Sequence, residues 1–481
     1  MSTHEGVAFR SESTSATARE VLADALRAAD PVGSRAVERE TAWRRQYLEH
    51  FRRAVEAGIG DAAAAQAIAS AGLRSAHAAM RFGDVDLDVA VAGAPLDQVL
   101  HTTTLEGGAE PETELTLPYR GERLRGDALL RQLDAWVERG VVTASCAEAV
   151  RRVHENPDWL RLEGDVVAVL GAGAEMGPYR ALQRWGAEVV ALDLPRADVQ
   201  ERIARVATDG AGRVHVPTRI VTSGRGDGGC DVGADLVREL PAVAHWLGSF
   251  AGASRLVLGN YCYADGAMHV RVSMAADALA AHLVAEHPRT ALAFLATPTD
   301  VFAVPAEEVA RSQEAYRKGR VGRVARHATR VVSGGRLLQR NYPPGADPGL
   351  CDALVPQQGP NYALAKRVQR WRATDARAAG TTVSLNVAPA TRTRSVVKNK
   401  ALAAAYAGAH RFGVEIFDPA TSNTLMAALL VHDLRAGLQP ETEPWRDEAR
   451  GAAHGGLWTA AYHPRSALGL AAVLGVGALR S

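Results

Sequence analysis

Residues 164–195 read GDVVAVLGAGAEMGPYRALQRWGAEVVALDLP. An apolar run from Asp165 leads into a turn holding Gly171, Gly173 and Gly177, then a short helix, a second apolar run and an acid, Asp193. In that order they describe a dinucleotide site: glycines let the backbone approach a pyrophosphate, the unpaired N–H groups of a helix start face it, and the acid receives ribose hydroxyls. Ala174, Glu175 and Met176 within the turn, and Leu194 after the acid, complete the expected contacts. The spacing is GxGxxxG rather than GxGxxG. Two other readings therefore stay open at this point. One is an ordinary glycine-rich strand-to-helix turn; the other is an S-adenosylmethionine site, which also sets a glycine turn after a first strand and an acid after the second.

A second signature lies downstream, at residues 358–395, QGPNYALAKRVQRWRATDARAAGTTVSLNVAPATRTRS. Tyr362 and Lys366 stand four apart on what should be a helix, so their side chains emerge on one face. A lysine ammonium beside a phenol favours the phenolate and lowers the tyrosine pKa toward neutrality. That is what a general acid or base for a carbonyl/alcohol pair needs.

The joint order of glycine turn, acid, Tyr/Lys helix and following strand resembles the short-chain dehydrogenase/reductase family. In that family the Tyr-x-x-x-Lys helix precedes a strand ending in a Val-x-x-x-x-Pro-Gly segment; here Val383 to Pro389 stands at the matching distance, with Ala390 in the glycine's place. The resemblance implies an α/β fold with a Rossmann-like doubly wound parallel sheet. It makes Tyr362 the acid/base, with Lys366 lowering its pKa and holding the nicotinamide ribose, and Pro389 a cofactor contact. Asp231 and Val232 look like the family's Asp-Val pair that meets the adenine, an exposed loop aspartate being the other reading. Asn260 stands where the family has its Asn-Asn-Ala-Gly turn, though only one asparagine is kept.

Departures from the family pattern are equally specific. A serine usually precedes the tyrosine by about a dozen residues; here Gly349 and Leu350 occupy that region. The apolar run TALAFLATPTDVF, residues 290–302, resembles the strand that delivers this serine, so Thr297 or Thr299 is the expected hydroxyl, with the same donor and acceptor capacity. Ser333, in VVSGG, is a rival. The family's helix asparagine is not evident, Ser273 lying near its place.

Asp193 favours NAD over NADP, because a carboxylate pairs with ribose hydroxyls and repels a 2′-phosphate; Arg196, three residues on, could offset this, so NADP stays possible. The implied activity is hydride transfer between nicotinamide and a carbonyl or secondary alcohol of a small, apolar substrate. Alternatives are an NAD-binding enzyme without net redox (an epimerase or dehydratase), a cofactor-sensing scaffold, and a methyltransferase if the Tyr362/Lys366 pair is accidental.

At 481 residues, 47% hydrophobic and a net charge of +1, the chain is long enough for a large core and lacks the charge excess of a nucleic-acid or anionic-membrane binder. Small molecules or a second copy of the chain, as a dimer or tetramer, are the expected partners. The four cysteines, Cys146, Cys230, Cys262 and Cys351, form no Cys-x-x-Cys pair, which fits a reducing cytoplasm and suggests no metal site. His454 and His463, nine apart, do not make one either. The N-terminus lacks the apolar core of a signal peptide, and residues 467–479 are apolar but too short to span a bilayer.

Along the chain, residues 1–17 read as a disordered tail and 18–160 as an additional, mainly helical N-terminal domain, with 83–120 strand-like because DVDLDVAVAG alternates. Residues 161–440 should form the Rossmann-type catalytic domain, with an insertion at about 303–357. Residues 396–410 are expected to form a lid, and Leu425, Leu429 and Leu430 an apolar helix face for subunit packing. The tail, 441–481, should pack on the core or on a partner subunit.

Overall fold

Along Asp165–Leu170 the side chains of Val166, Ala168 and Leu170 enter one core and those of Val167 and Val169 enter another. This is the period-two pattern of a strand buried on both faces, which a parallel sheet with helices on each side requires. The computed structural model describes residues 6–93, 99–221, 229–318 and 323–476.

The chain opens with strand β1 (Val7–Phe9), helices α1 (Thr14–Leu26), α2 (Pro31–Glu38), α3 (Trp43–Glu56) and α4 (Ala62–Ala78), then β2 (Met80–Phe82) and α5 (Leu87–Ala92). Next come β3 (His101–Glu106), the small hairpin β4 (Leu117–Tyr119) and β5 (Glu122–Leu124), and helices α6 (Gly126–Glu138) and α7 (Ala144–Glu155). The nucleus of the fold follows as β6 (Asp165–Leu170), α8 (Tyr179–Arg184), β7 (Glu188–Leu192), α9 (Ala197–Thr208), β8 (Arg213–Val221), β9 (Gly229–Val232), α10 (Leu240–Gly248), β10 (Arg255–Asn260), α11 (Ala267–Glu286) and β11 (Ala291–Ala296). An excursion holds β12 (Val301–Val304), α12 (Ala306–Lys318), α13 (Arg323–Val332) and β13 (Gly349–Asp352). The chain then forms α14 (Gly359–Ala378), β14 (Val383–Val387), α15 (Arg394–Lys398), α16 (Lys400–Gly408), α17 (Pro419–Arg435), α18 (Pro444–Ala449) and α19 (Pro464–Val476).

Six parallel strands lie in the order β8-β7-β6-β10-β11-β14. Numbered by their place in the chain, this is 3-2-1-4-5-6, an order that reverses between β6 and β10. The helix after β6 packs on one face and the helix after β10 on the other, since Ala181 and Leu182 of α8 and Met274 and Leu279 of α11 belong to opposite cores. A crevice therefore opens at the carboxyl ends of β6 and β10. Antiparallel β3 closes the edge beside β8, and β9 folds back on the far end of β8.

Three expectations about organisation differ from the structure. Residues 6–17 are ordered: Val7 pairs through its N–H with the Val237 carbonyl, and Ser13 caps α1 by accepting from the Ala16 N–H. What reads as a polar tail is a strand followed by a capping serine. DVDLDVAVAG contains α5 rather than a strand, because Leu87, Ala90 and Val91 also fit one face of a helix and are buried on it. The N-terminal helices have no core of their own. Leu22, Phe51 and Leu73 share one apolar cluster with Leu170, Leu258 and Val368, so no break in the core falls near residue 160.

Helix α17 also differs. Leu425, Leu429 and Leu430, expected to face a partner subunit, are at most 2% exposed within this one chain, covered by β14, α7 and α8. The tail is built in likewise: Trp458 is fully buried against Phe302, and α19 packs on α16.

His77 anchors the N-terminal helices to the rest. One ring nitrogen meets buried Asp277 at 2.7 Å and the other meets exposed Asp88 at 2.9 Å, while Arg372 pairs with Asp277 from α14 at 2.8 Å. Burial opposes protonation of His77, but Asp277 and Asp88 outweigh it and hold the pKa above the ordinary histidine value. Because the folded pKa is the higher one, this stabilisation is complete below the unfolded pKa and is lost as pH rises through the folded one. Urea denaturation across that window should show stability falling with pH, and His77→Gln should flatten the slope; an unchanged slope would exclude this linkage.

Candidate active site at the reversal point

The glycine turn leaves β6 with Gly171 at φ +81°, a left-handed conformation that L side chains avoid. Its N–H donates to the Leu192 carbonyl, and a Cβ there would lie 3.1 Å from the Tyr261 backbone. Gly173 lets Asp193 approach: the Gly173 N–H donates to Asp193 Oδ2 at 2.8 Å, and a Cβ would sit 3.1 Å from that oxygen and from Val199 Cγ1. Asp193 Oδ1 accepts from the Leu194 N–H. Burial pushes the Asp193 carboxyl up and these two N–H groups pull it back, with a net rise. Gly177 is buried and its carbonyl accepts from Asn423. Helix α8 is only six residues long. Gly171→Ala is expected to cost about 1–2 kcal/mol of stability from the left-handed backbone alone; urea denaturation measures it, and a stability equal to wild type would show that the turn relaxes.

Across the crevice, Tyr362 and Lys366 rise from the first turns of α14. The Lys366 Nζ donates to the Leu295 carbonyl of β11 at 3.2 Å and to Gln369 Oε1 at 3.1 Å. Burial lowers its pKa to about 8. Tyr362 is pushed up to about 12 by burial, against hydrogen bonding from the Thr297 and Gln358 side chains. The lysine, spent on Leu295 and Gln369, does not depress the phenol as its spacing suggested. Desolvation wins over a neighbouring charge.

Thr297 directly follows β11 and faces Tyr362; Thr299 stands one hydrogen bond away, 2.8 Å from the Thr297 hydroxyl and accepting from Gln358 Nε2 at 2.7 Å. Ser333 uses its hydroxyl locally, donating to the Arg330 carbonyl and accepting from the Leu337 N–H. The turn after Thr299 is fixed by buried Asp300, which takes Arg367 at 3.0 Å and Arg370 at 2.8 Å, both from α14. Thr297 and Tyr362 are thus held together by their own supporting elements.

Asn260 ends β10, buried, with its Oδ1 accepting from the Cys262 N–H. Cys262 follows β10 against the glycine turn, its Cα 3.2 Å from where a Gly171 Cβ would sit, and burial raises its thiol pKa. Pro389 is buried just past β14 and its carbonyl accepts from the Thr391 hydroxyl. Beyond it Arg394 pairs with Glu175 of the glycine turn, at 3.2 Å, two residues before the segment expected to form a lid. Ala174 and Met176 are half-buried in that loop and Leu194 is 41% exposed beside Asp193. Asp231 and Val232 are not on a turn after the third strand; they lie within β9, with exposed Asp231 in register with Arg219.

Sequence reasoning passed over Gln358 and His269. Gln358 had a signal, four residues before Tyr362 on the same helical face. His269 had none, since only the packing of α11 on α14 brings its ring 5.2 Å from that of Tyr362.

No protein-family model matches this chain, and no curated protein matches it. Among the described residues no helix is long and apolar enough to cross a membrane, and no three His, Cys, Asp or Glu side chains gather as a metal site would need.

Proposed function

We propose that the chain is an NAD(P)-dependent oxidoreductase of the short-chain dehydrogenase/reductase kind, acting on a carbonyl or secondary alcohol. One observation supports the reading: the Gly171 turn with Asp193, and the Thr297, Tyr362 and Lys366 set, stand at the carboxyl ends of the parallel strands whose order reverses beside β6. When bound, nicotinamide supplies the hydride chemistry.

The residues present fit such a cofactor. Gly171 and Gly173 let the turn pack close against the Tyr261 backbone and Asp193, and Asp193 presents a carboxylate at the end of the second parallel strand. Asp193 favours NAD. Arg196, which could have answered a 2′-phosphate, is held by Asp198 through two hydrogen bonds at 3.1 and 3.0 Å. At neutral pH Tyr362 keeps its proton, which suits an acid that protonates the oxygen of a carbonyl under reduction. Thr297 orients that oxygen, and Lys366 positions the cofactor side of the crevice.

Titration with NADH, NADPH and S-adenosylmethionine, followed by nicotinamide fluorescence and thermal shift, tests the reading. A bound ligand at a hundredfold excess over Kd should stabilise the protein by about 2.7 kcal/mol. Preferential NADH binding is expected; binding of S-adenosylmethionine alone, or of no ligand, overturns the proposal. A second reading, an NAD-binding enzyme without net redox, draws on the raised Tyr362 pKa, and it predicts NADH that binds without exchanging or turning over.

A further inference from the structure

His269 is the least satisfied polar group near the crevice. It lies in the first turn of α11, 1% exposed, and neither its Nδ1 nor its Nε2 meets a hydrogen-bonding partner among the described residues. Buried His454, by contrast, accepts at Nδ1 from the Gly456 N–H. Native proteins seldom leave buried polar atoms unpaired, and those that remain call for an explanation, such as a ligand or a water at the spot.

The surroundings say what kind of ligand. His269 stands edge-on to Tyr362, 5.2 Å between ring centroids, and Tyr263 closes the third side at 5.2 Å from His269 and 6.3 Å from Tyr362. Burial and the nearby Lys366 charge hold the imidazole pKa at about 3, so at neutral pH it presents one N–H donor and one acceptor nitrogen. A hydroxyl can pair with either nitrogen, accepting from the N–H or donating to the bare one, and being uncharged it needs no counter-charge against a neutral ring. Ser273 Oγ, one turn along α11, and Gln369 Nε2, on α14, are buried and unpartnered as well.

We propose, resting on the oxidoreductase reading above, that His269 determines specificity and that the substrate is a small, uncharged hydroxyketone whose hydroxyl it binds beside the reacting carbonyl. The carbonyl carbon accepts the hydride, the carbonyl oxygen takes the Tyr362 proton, and the products are a vicinal diol and oxidised nicotinamide. A site built to hydrogen-bond a hydroxyl rejects the analogue lacking it, because its own polar groups are then left unpaired.

The test compares acetoin, butanone and pyruvate as substrates with NADH, after NADH binding has been measured by fluorescence. For the wild type, kcat/KM for acetoin should exceed that for butanone by about 100-fold or more, with pyruvate no better than butanone. His269→Phe should bring kcat/KM for acetoin down to that for butanone, with NADH still bound. His269→Gln, which keeps a donor and an acceptor, should retain most of it and guards against misfolding of the Phe variant. Equal use of acetoin and butanone, a preference for pyruvate, a preference that survives His269→Phe, or NADH binding with no turnover of the three overturns the substrate assignment alone. Failure to bind NADH overturns the oxidoreductase reading, and this assignment with it.

Discussion

Tyr362→Phe is expected to lower kcat by about 10²- to 10⁴-fold, the range for removing a positioned general acid, while NADH binds as in the wild type. The phenol is the one acidic group that Thr297 and Gln358 address together, and Lys366 sits one helical turn below it. Losing the hydroxyl leaves Thr297 bonded to Thr299 and Gln358 bonded to Thr299, so the local network persists. Stability should change by no more than about 1.5 kcal/mol, the net worth of one hydrogen bond. Steady-state kinetics beside urea denaturation separates the two effects. A Phe variant that turns over at the wild-type rate would remove Tyr362 from the mechanism, whatever NADH affinity it shows.

The largest loss of stability is expected from Asp300→Ala. Burial would raise the Asp300 carboxyl, but Arg367 and Arg370 outweigh it and hold the pKa below the ordinary aspartate value. Both guanidinium groups are at most 5% exposed, and Arg370 also donates to the Val301 carbonyl and pairs with Glu448. Removing the carboxylate strands Arg367 as a buried charge without its partner, a change that costs about 3–5 kcal/mol. Arg394→Ala breaks the Glu175 pair at the surface, where Arg394 is 76% exposed, and should cost less than about 1 kcal/mol. Urea denaturation of the two variants gives the comparison; equal losses would mean that Asp300 supports the turn by shape rather than by charge. Activity should fall in Asp300→Ala too, because Thr297 and Thr299 lead into that residue.

Much of the architecture was legible because its causes are local. The continuous apolar runs at 165–170 and 188–192, and the glycine turn between strand and acid, mark β6, β7 and the turn that follows β6 directly. The four-residue spacing of Tyr362 and Lys366 placed both on α14, and the run at 290–296 placed Thr297 at a strand end. Short segments were less decisive. DVDLDVAVAG satisfies both a two-residue and a helical period, and β3 takes the sheet edge that a strand there would have needed. Asp231 lies in β9, which runs antiparallel to the end of β8, a pairing that local sequence does not announce.

The sequence by itself determined which residues face which side of each element, where the backbone must turn left-handed, and which side chains share a helical face. These depend on periodicity and on the presence or absence of a Cβ, properties of neighbours in the chain. Tertiary structure alone decided that α1 to α4 share the core of the parallel sheet, that α17 is covered by its own chain, that burial raises the Tyr362 pKa, and that His269 beside it has no hydrogen-bonding partner among the described residues. Desolvation and hydrogen-bond satisfaction are set by what packs around a group, and those neighbours come from parts of the chain tens to hundreds of residues away.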